Sequence, residues 1–129
     1  MAKHNPNVGK IGWLDLTVKD APNVRDFYEQ VVGWKSSELD CGGYNDFCMN
    51  TPDGGMTVAG VCHAKGENAK LPPSWLAYVN VENVAASLEK VKALGGKVID
   101  GPRKLGSRDF ACIQDPAGAF LALIEADRD

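Results

Sequence analysis

Few side chains in this 129-residue chain could do chemistry, and they are scattered. Trp13 and Asp15 lie two apart in "IGWLDLTV", where Asp15 interrupts an otherwise apolar strand pattern. A carboxylate there must be solvated, paired or functional, and the plain alternative is a partly exposed Asp paired with a nearby Lys or Arg. His63 ends the run "TVAGVCH" and has the intrinsic pKa of a general base, or is simply an exposed strand-end histidine. Cys62 precedes it, but neighbours on a strand face opposite ways, so a Cys–His nucleophile pair has little support. Tyr44 and Asp46 follow a Gly-Gly turn and either reach a binding surface or face solvent. Arg103, Lys104 and Arg108 bracket the loop "PRKLGSRD", which suits an anionic ligand or a solvated charged loop. Tyr78 and Phe120 add aromatic surface on two further strand-like runs.

Composition narrows the partners. A net charge of −3 and 24% charged residues leave no basic footprint for nucleic acid and no polybasic patch for a membrane. The start "MAKHNPNVGK" is polar and carries no apolar stretch of a secretory signal, and no run nears the ~18 apolar residues of a membrane span. Cys41, Cys48, Cys62 and Cys112 sit singly, with no Cys-x-x-Cys pair, which reads as reduced, mostly buried thiols in a cytoplasmic protein.

The elements that must position these groups follow from periodicity. Residues 11–18 alternate as a strand; Asp20 suits an N-cap, and Val24, Phe27, Tyr28 and Val31 recur at helical spacing until Gly33. Phe27, Val31 and Trp34 are assigned to the core. Strands are expected over 34–39, 44–49 and 56–62, then a polar linker over 64–74. The pattern restarts with a strand over 75–81. A helix capped by Asn83 follows, with Val84, Leu88, Val91 and Leu94 on one face, then strands over 97–99, 108–114 and 120–124. The chain thus reads as one domain of two βαβββ modules, about 10–63 and 75–126, in the α+β class.

The two modules match residue by residue. Val18 matches Val81, Asp20 matches Asn83 and Gly33 matches Gly96, each 63 apart; Cys48 matches Cys112, Pro52 matches Pro116 and Gly54 matches Gly118, each 64 apart. The chain is a tandem duplication.

Two such modules, with "VKDAPNVRDFYEQVVGW" in the first and "DPAGAFLALIE" closing the second, resemble the vicinal oxygen chelate superfamily of glyoxalases, extradiol dioxygenases and bleomycin-resistance proteins. The resemblance covers residues 10 to 125 and implies sheets curled around a shared cup. It also implies a divalent metal held from the first and last strands of each module. Counting from the motifs, those positions fall on Trp13, Leu76, Ala122, and Val58 or Ala59, none of which can ligate a divalent ion. No metal and no other cofactor is therefore expected.

Alternation would line the cup with Trp13, Asp15 and Thr17, with Leu76, Tyr78 and Asn80, and with Phe120, Ala122 and Ile124. Such an aromatic and apolar surface with a few polar groups describes most small-molecule sites, although Trp13 and Phe120 could equally be ordinary core. The ligand-binding candidates are Trp13, Asp15, Tyr44, Asp46, His63, Tyr78, Arg108 and Phe120. The reading is a metal-free small-molecule-binding protein, expected as a homodimer. The alternative is a lyase, isomerase or dioxygenase using non-standard metal or acid–base residues; a pocket-free interaction role is a third.

Overall fold

The computed structural model describes residues 5–127. The first four residues of the polar start lie outside that range. The elements are β1 (Ile11–Val18), α1 (Ala21–Val32), β2 (Lys35–Asp40), β3 (Asn45–Asn50), β4 (Thr57–His63), a 3-10 turn (Gly66–Lys70), β5 (Leu76–Val81), α2 (Val84–Ala93), β6 (Lys97–Leu105), β7 (Arg108–Gln114) and β8 (Phe120–Glu125). The fold class is α+β, with βαβββ written twice. Two compact units result: Trp13–Trp75 (module one), and the described residues through Gly12 together with those from Leu76 (module two).

Module one orders its strands β2-β3-β4-β1, with β1 parallel to β4 and the other pairs antiparallel. One face carries α1 over Phe47, Met49, Ala59 and Val61, joined by half-buried Leu14 and Val18. Tyr28, Trp34 and Trp75 close this core as an aromatic cluster, and Trp75 Nε1 donates to the Tyr28 hydroxyl at 3.0 Å. Period-2 alternation then sends Trp13, Asp15 and Thr17 of β1, Asp46 and Cys48 of β3, and Gly60 and Cys62 of β4 to the helix-free face.

Module two repeats this as β5-β8-β7-β6, with β5 parallel to β8. Its helix-side core is Val84, Leu88, Ala111, Ile113 and Leu123. Asn83 caps α2, its side chain accepting from the Ala86 N–H at 3.0 Å.

Several expectations fail for physical reasons. Phe27 and Val31 are not core but 57% and 63% exposed, because Ala21, Val24 and Tyr28 (positions i, i+3, i+7) are the stripe α1 turns inward. Leu94 likewise lies past the last turn of α2 and is 75% exposed. Asp20 makes no capping bond; its carboxylate accepts from Asn23 Nδ2 at 2.7 Å instead. The short strand expected over 97–99 runs on to Leu105, which puts Arg103 and Lys104 on β6 rather than in a loop. Gly101-Pro102 does not end it because β6 is an edge strand whose pairing shifts register there. Only Cys112 is fully buried; Cys41, Cys48 and Cys62 are half-buried.

Strand register also corrects one correspondence between the modules. Cys48 faces Gly60 and Cys112 faces Ala122, while Asp15 faces Gly60 and Tyr78 faces Ala122. The counterpart of Ala122 is therefore Gly60, neither Val58 nor Ala59. The β3–β4 connection, with a register shift at Met49/Asn50, absorbs residues that counting from Gly54 assigns to the strand.

Candidate small-molecule site

On the helix-free face of module one, Trp13 Nε1 donates to Asp15 Oδ1 at 2.6 Å. Both residues are half-buried. They are neighbours on one side of β1, and what lets them lie across the sheet is Gly60 opposite. A Cβ at Gly60 would collide with Asp15 Oδ1 and come within 3.6 Å of Trp13 Cζ2. A glycine inside a strand often marks such a close approach, and "TVAGVCH" carried that signal unread.

Cys62 lies one step further along the same face of β4. Burial, then the Asp15 and Asp46 carboxylates, push its thiol far above the ordinary cysteine value, so it stays protonated. Asp46 is buried on β3. Its Oδ1 accepts from the His63 N–H at 2.8 Å and its Oδ2 from the Cys41 thiol at 3.3 Å. Trp13, Asp15 and Asp46 are thus gathered with Gly60, Cys62 and Cys41, three residues outside the sequence-derived candidate set.

Tyr44 and His63 form a different group. His63 alternates to the α1 side, where its ring meets Tyr44 at 5.3 Å and Phe47 at 6.1 Å. Lys65 Nζ sits 4.9 Å above Tyr44 and the Arg25 guanidinium 4.4 Å above Phe47. His63 Nδ1 is buried with no hydrogen-bond partner among the described residues. His63 is therefore neither the exposed histidine nor a base beside Trp13.

Within module two, Tyr78 is buried against Phe110 with ring centroids 5.5 Å apart. The Arg103 guanidinium covers Phe110 at 4.8 Å and binds Asp100 Oδ2 through Nε and Nη2, both at 2.9 Å. Burial and the Asp100 carboxylate push the neighbouring Cys112 thiol up to about 11. Arg108 is tied down too: Nε donates to the Glu125 carbonyl at 2.8 Å and Nη2 to Asn80 Oδ1 at 3.2 Å. Phe120, half-buried at the start of β8, pairs in register with Gln114. An open groove of about 270 Å³ lies elsewhere, beside α2, lined by Ser87, Lys90, Val91, Leu94, Ile113 and Gln114 among others, and it includes none of the eight candidates.

A family model described as Glyoxalase/Bleomycin resistance protein/Dioxygenase superfamily matches residues 10–123. The chain belongs to this superfamily. CFP32 of Mycobacterium bovis, named as a glyoxylase, is 30% identical over 122 residues, which are 93% of this chain and 47% of that protein. The anthracycline biosynthesis protein DauV of Streptomyces sp. strain C5 is 29% identical over 91% of this chain and 42% of its own length. The chain spans about half the length of these curated relatives. Among solved structures, methylmalonyl-CoA epimerase of Streptomyces coelicolor superposes with a TM-score of 0.53 at 15% identity, covering 94% of this chain and 99% of that one. The Mycobacterium tuberculosis epimerase gives 0.52 at 14%, covering 98% and 94%. At such identities the likeness is one of fold.

The superfamily's divalent metal does not fit here. The positions implied for its ligands carry Trp13 and, by register, Gly60 in module one, and Leu76 and Ala122 in module two. None bears an oxygen, nitrogen or thiolate donor suited to such an ion. Among the described residues, no three His, Cys, Asp or Glu side chains form a group that could hold one. Nor, among the described residues, is any helix long and apolar enough to cross a membrane.

Proposed function

We propose that this superfamily member binds a small molecule on the helix-free face of module one, without a resident divalent metal. The observation that carries the reading is the Trp13–Asp15 pair laid over Gly60, a half-buried indole and carboxylate on a floor that bears no side chain. Most recognition sites combine an aromatic surface with a few placed polar groups. Trp34 and Trp75 are absorbed in the helix-side core, so Trp13 is the indole left for a ligand. The four free cysteines suit a reducing, cytoplasmic setting.

Trp13→Ala tests it. Truncating a packed core tryptophan costs about 3–5 kcal/mol. A Trp13 that lines a binding face should cost less, leave a folded protein, and abolish binding of hits from a small-molecule thermal-shift screen. A cost in the core range with unchanged binding of those hits would refute the reading. The relatives' names favour a second reading, an enzyme with an unusual acid–base or metal set. Elemental analysis of dialysed protein separates the two. Well under one equivalent of zinc, nickel, manganese or iron is expected; stoichiometric metal lost on changing Asp15 or Asp46 would favour the enzyme.

A further inference from the structure

The open groove beside α2 has a counterpart in module one, and there it is filled. Gly33 and Gly95 both lie where the chain leaves its helix in the left-handed region, at φ +85° and +92°. Lys35 then pairs with Asn50, and Lys97 with Gln114, 64 residues on from Asn50. Counting from the motifs matches Gly33 with Gly96, but register sets Gly96 where module one has Trp34. The helices themselves start 63 residues apart, at Ala21 and Val84, so Val91 stands where module one has Tyr28.

Module one closes this place with its own rings. Tyr28 and Trp34 lie 6.1 Å apart between centroids, and Trp75 packs on both. Module two has a valine and a glycine instead, and both line the groove of about 270 Å³, together with Ser87, Leu94 and Ile113. Gly96 cannot take a ring back, because a Cβ there would lie 2.8 Å from the Gln114 carbonyl oxygen and 2.9 Å from Val91 Cγ1. Small-molecule sites usually measure about 300–1,000 Å³, so a groove at the small end suits a molecule of one or two rings.

Charge at the rim narrows the ligand further. Lys90 lines the groove and Lys97 follows Gly96 directly. Neither has an ion-pair partner among the described residues, whereas Lys92 on the same helix is held by Glu89 at 3.3 Å. Asp115 also lines the groove, but its Oδ1 is committed to its own turn, accepting from the Ala117 and Ala119 N–H groups at 2.8 and 3.0 Å. Lysine stems lie along apolar surface while their ammonium groups stay at its edge.

We infer that this groove is a second binding site, which takes a small aromatic acid. The ring lies among Val91, Leu94 and Ile113, and the carboxylate lies toward Lys90 and Lys97. The site lies wholly within module two and does not depend on the Trp13 face.

Indole-3-acetate, tryptophol and tryptamine test it. They share the ring system that Trp34 supplies in module one and differ in charge. The reporter is the Ile113 δ1 methyl, one of four isoleucine methyls of this kind in the chain, assigned by its disappearance in Ile113→Val. Indole-3-acetate should shift it and bind about two- to fivefold more tightly than tryptophol, the scale of a solvent-exposed ion pair, with tryptamine weakest. That preference should fade at high salt and in the double variant Lys90→Gln/Lys97→Gln, which should bind tryptophol as before. Val91→Tyr, which copies Tyr28, should stay folded and lose all three probes; if it unfolds, the titrations of the unaltered protein decide. Equal binding by the three probes, or a preference for tryptamine, would overturn the inference. So would an Ile113 methyl that stays in place at millimolar probe while the Trp13 indole N–H moves, or while nothing moves. A methyl that shifts on diluting the protein alone would seat a second copy in the groove and overturn the inference as well.

Discussion

Gly60→Ala tests whether an empty floor beneath Trp13 and Asp15 matters. The added methyl would collide with Asp15 Oδ1, the free end of a side chain, and otherwise approach only Trp13 Cζ2 at 3.6 Å. Ala122 occupies the equivalent register position in module two, so the backbone itself tolerates alanine. Asp15 should swing aside and lose the Trp13 N–H. A hydrogen bond to a charged group contributes about 1.5–3 kcal/mol, here toward the lower end because both partners are half-exposed. Replacing glycine by alanine inside a strand returns about 0.5–1 kcal/mol. The net expectation is a loss of about 1 kcal/mol, or about 4 °C in Tm for a chain this size. The decisive readout is local: the Trp13 indole N–H resonance should move upfield as its acceptor leaves, and ligand binding should fall. Gly101→Ala is the contrasting control. Its Cβ would lie 2.8 Å from the Phe110 carbonyl oxygen and 3.0 Å from Ala111 Cα, at φ +104°. Rigid backbone and a left-handed conformation should together cost more than about 3 kcal/mol. If Gly60→Ala matches that loss, or leaves the Trp13 resonance in place, the close-approach argument is wrong.

Three further outcomes are expected. Cys62 and Cys112 have thiols raised in the folded state, so between the unfolded value near 9 and their folded values the unfolded chain releases protons that the native one keeps. Stability, complete below pH 9, should therefore fall as pH rises, by up to about 1.4 kcal/mol per pH unit per thiol, and the fall in urea midpoint should flatten in Cys62→Ser and Cys112→Ser. Asn83→Ala should cost about 1 kcal/mol by urea denaturation, and Asp20→Ala clearly less, because only Asn83 caps its helix. The protein should be a homodimer by light scattering, since α1 leaves Phe27 and Val31 exposed, and a 13.8 kDa monomer at micromolar concentration would refute this.

Much of this architecture is legible because alternation and helical spacing act locally. β1 declares itself by period two, and the repeat of "TPDGG" in "DPAGA" places β4 and β8. What periodicity cannot supply is the identity of the buried stripe when a helix carries apolar residues on more than one side. Phe27 and Val31 read as core, yet α1 spends its inward face on Ala21, Val24 and Tyr28. Nor does counting survive a bulge, which is why Val58 and Ala59 stood in for Gly60. Of the candidate residues, Trp13 and Asp15 were legible as a same-face pair. That Tyr44 and His63 lie apart from them follows from β4 ending with His63 on the α1 side, and that Arg108 is tied to Asn80 and Glu125 depends on pairing no local pattern records.

The duplication sharpens what alternation alone leaves open. A large aromatic on a strand is ordinarily core, and Tyr78 with Phe110 behaves so: both are buried, with their rings tilted against each other at 5.5 Å. At the same positions module one has Asp15 and Asp46, and beside Asp15 it has Gly60 where module two has Ala122. Each exchange removes apolar volume or adds charge, and each would cost stability if the face existed only to be filled. Such losses are typical of surfaces kept for binding. The asymmetry between the copies, more than any one residue, therefore points to the Trp13 face of module one.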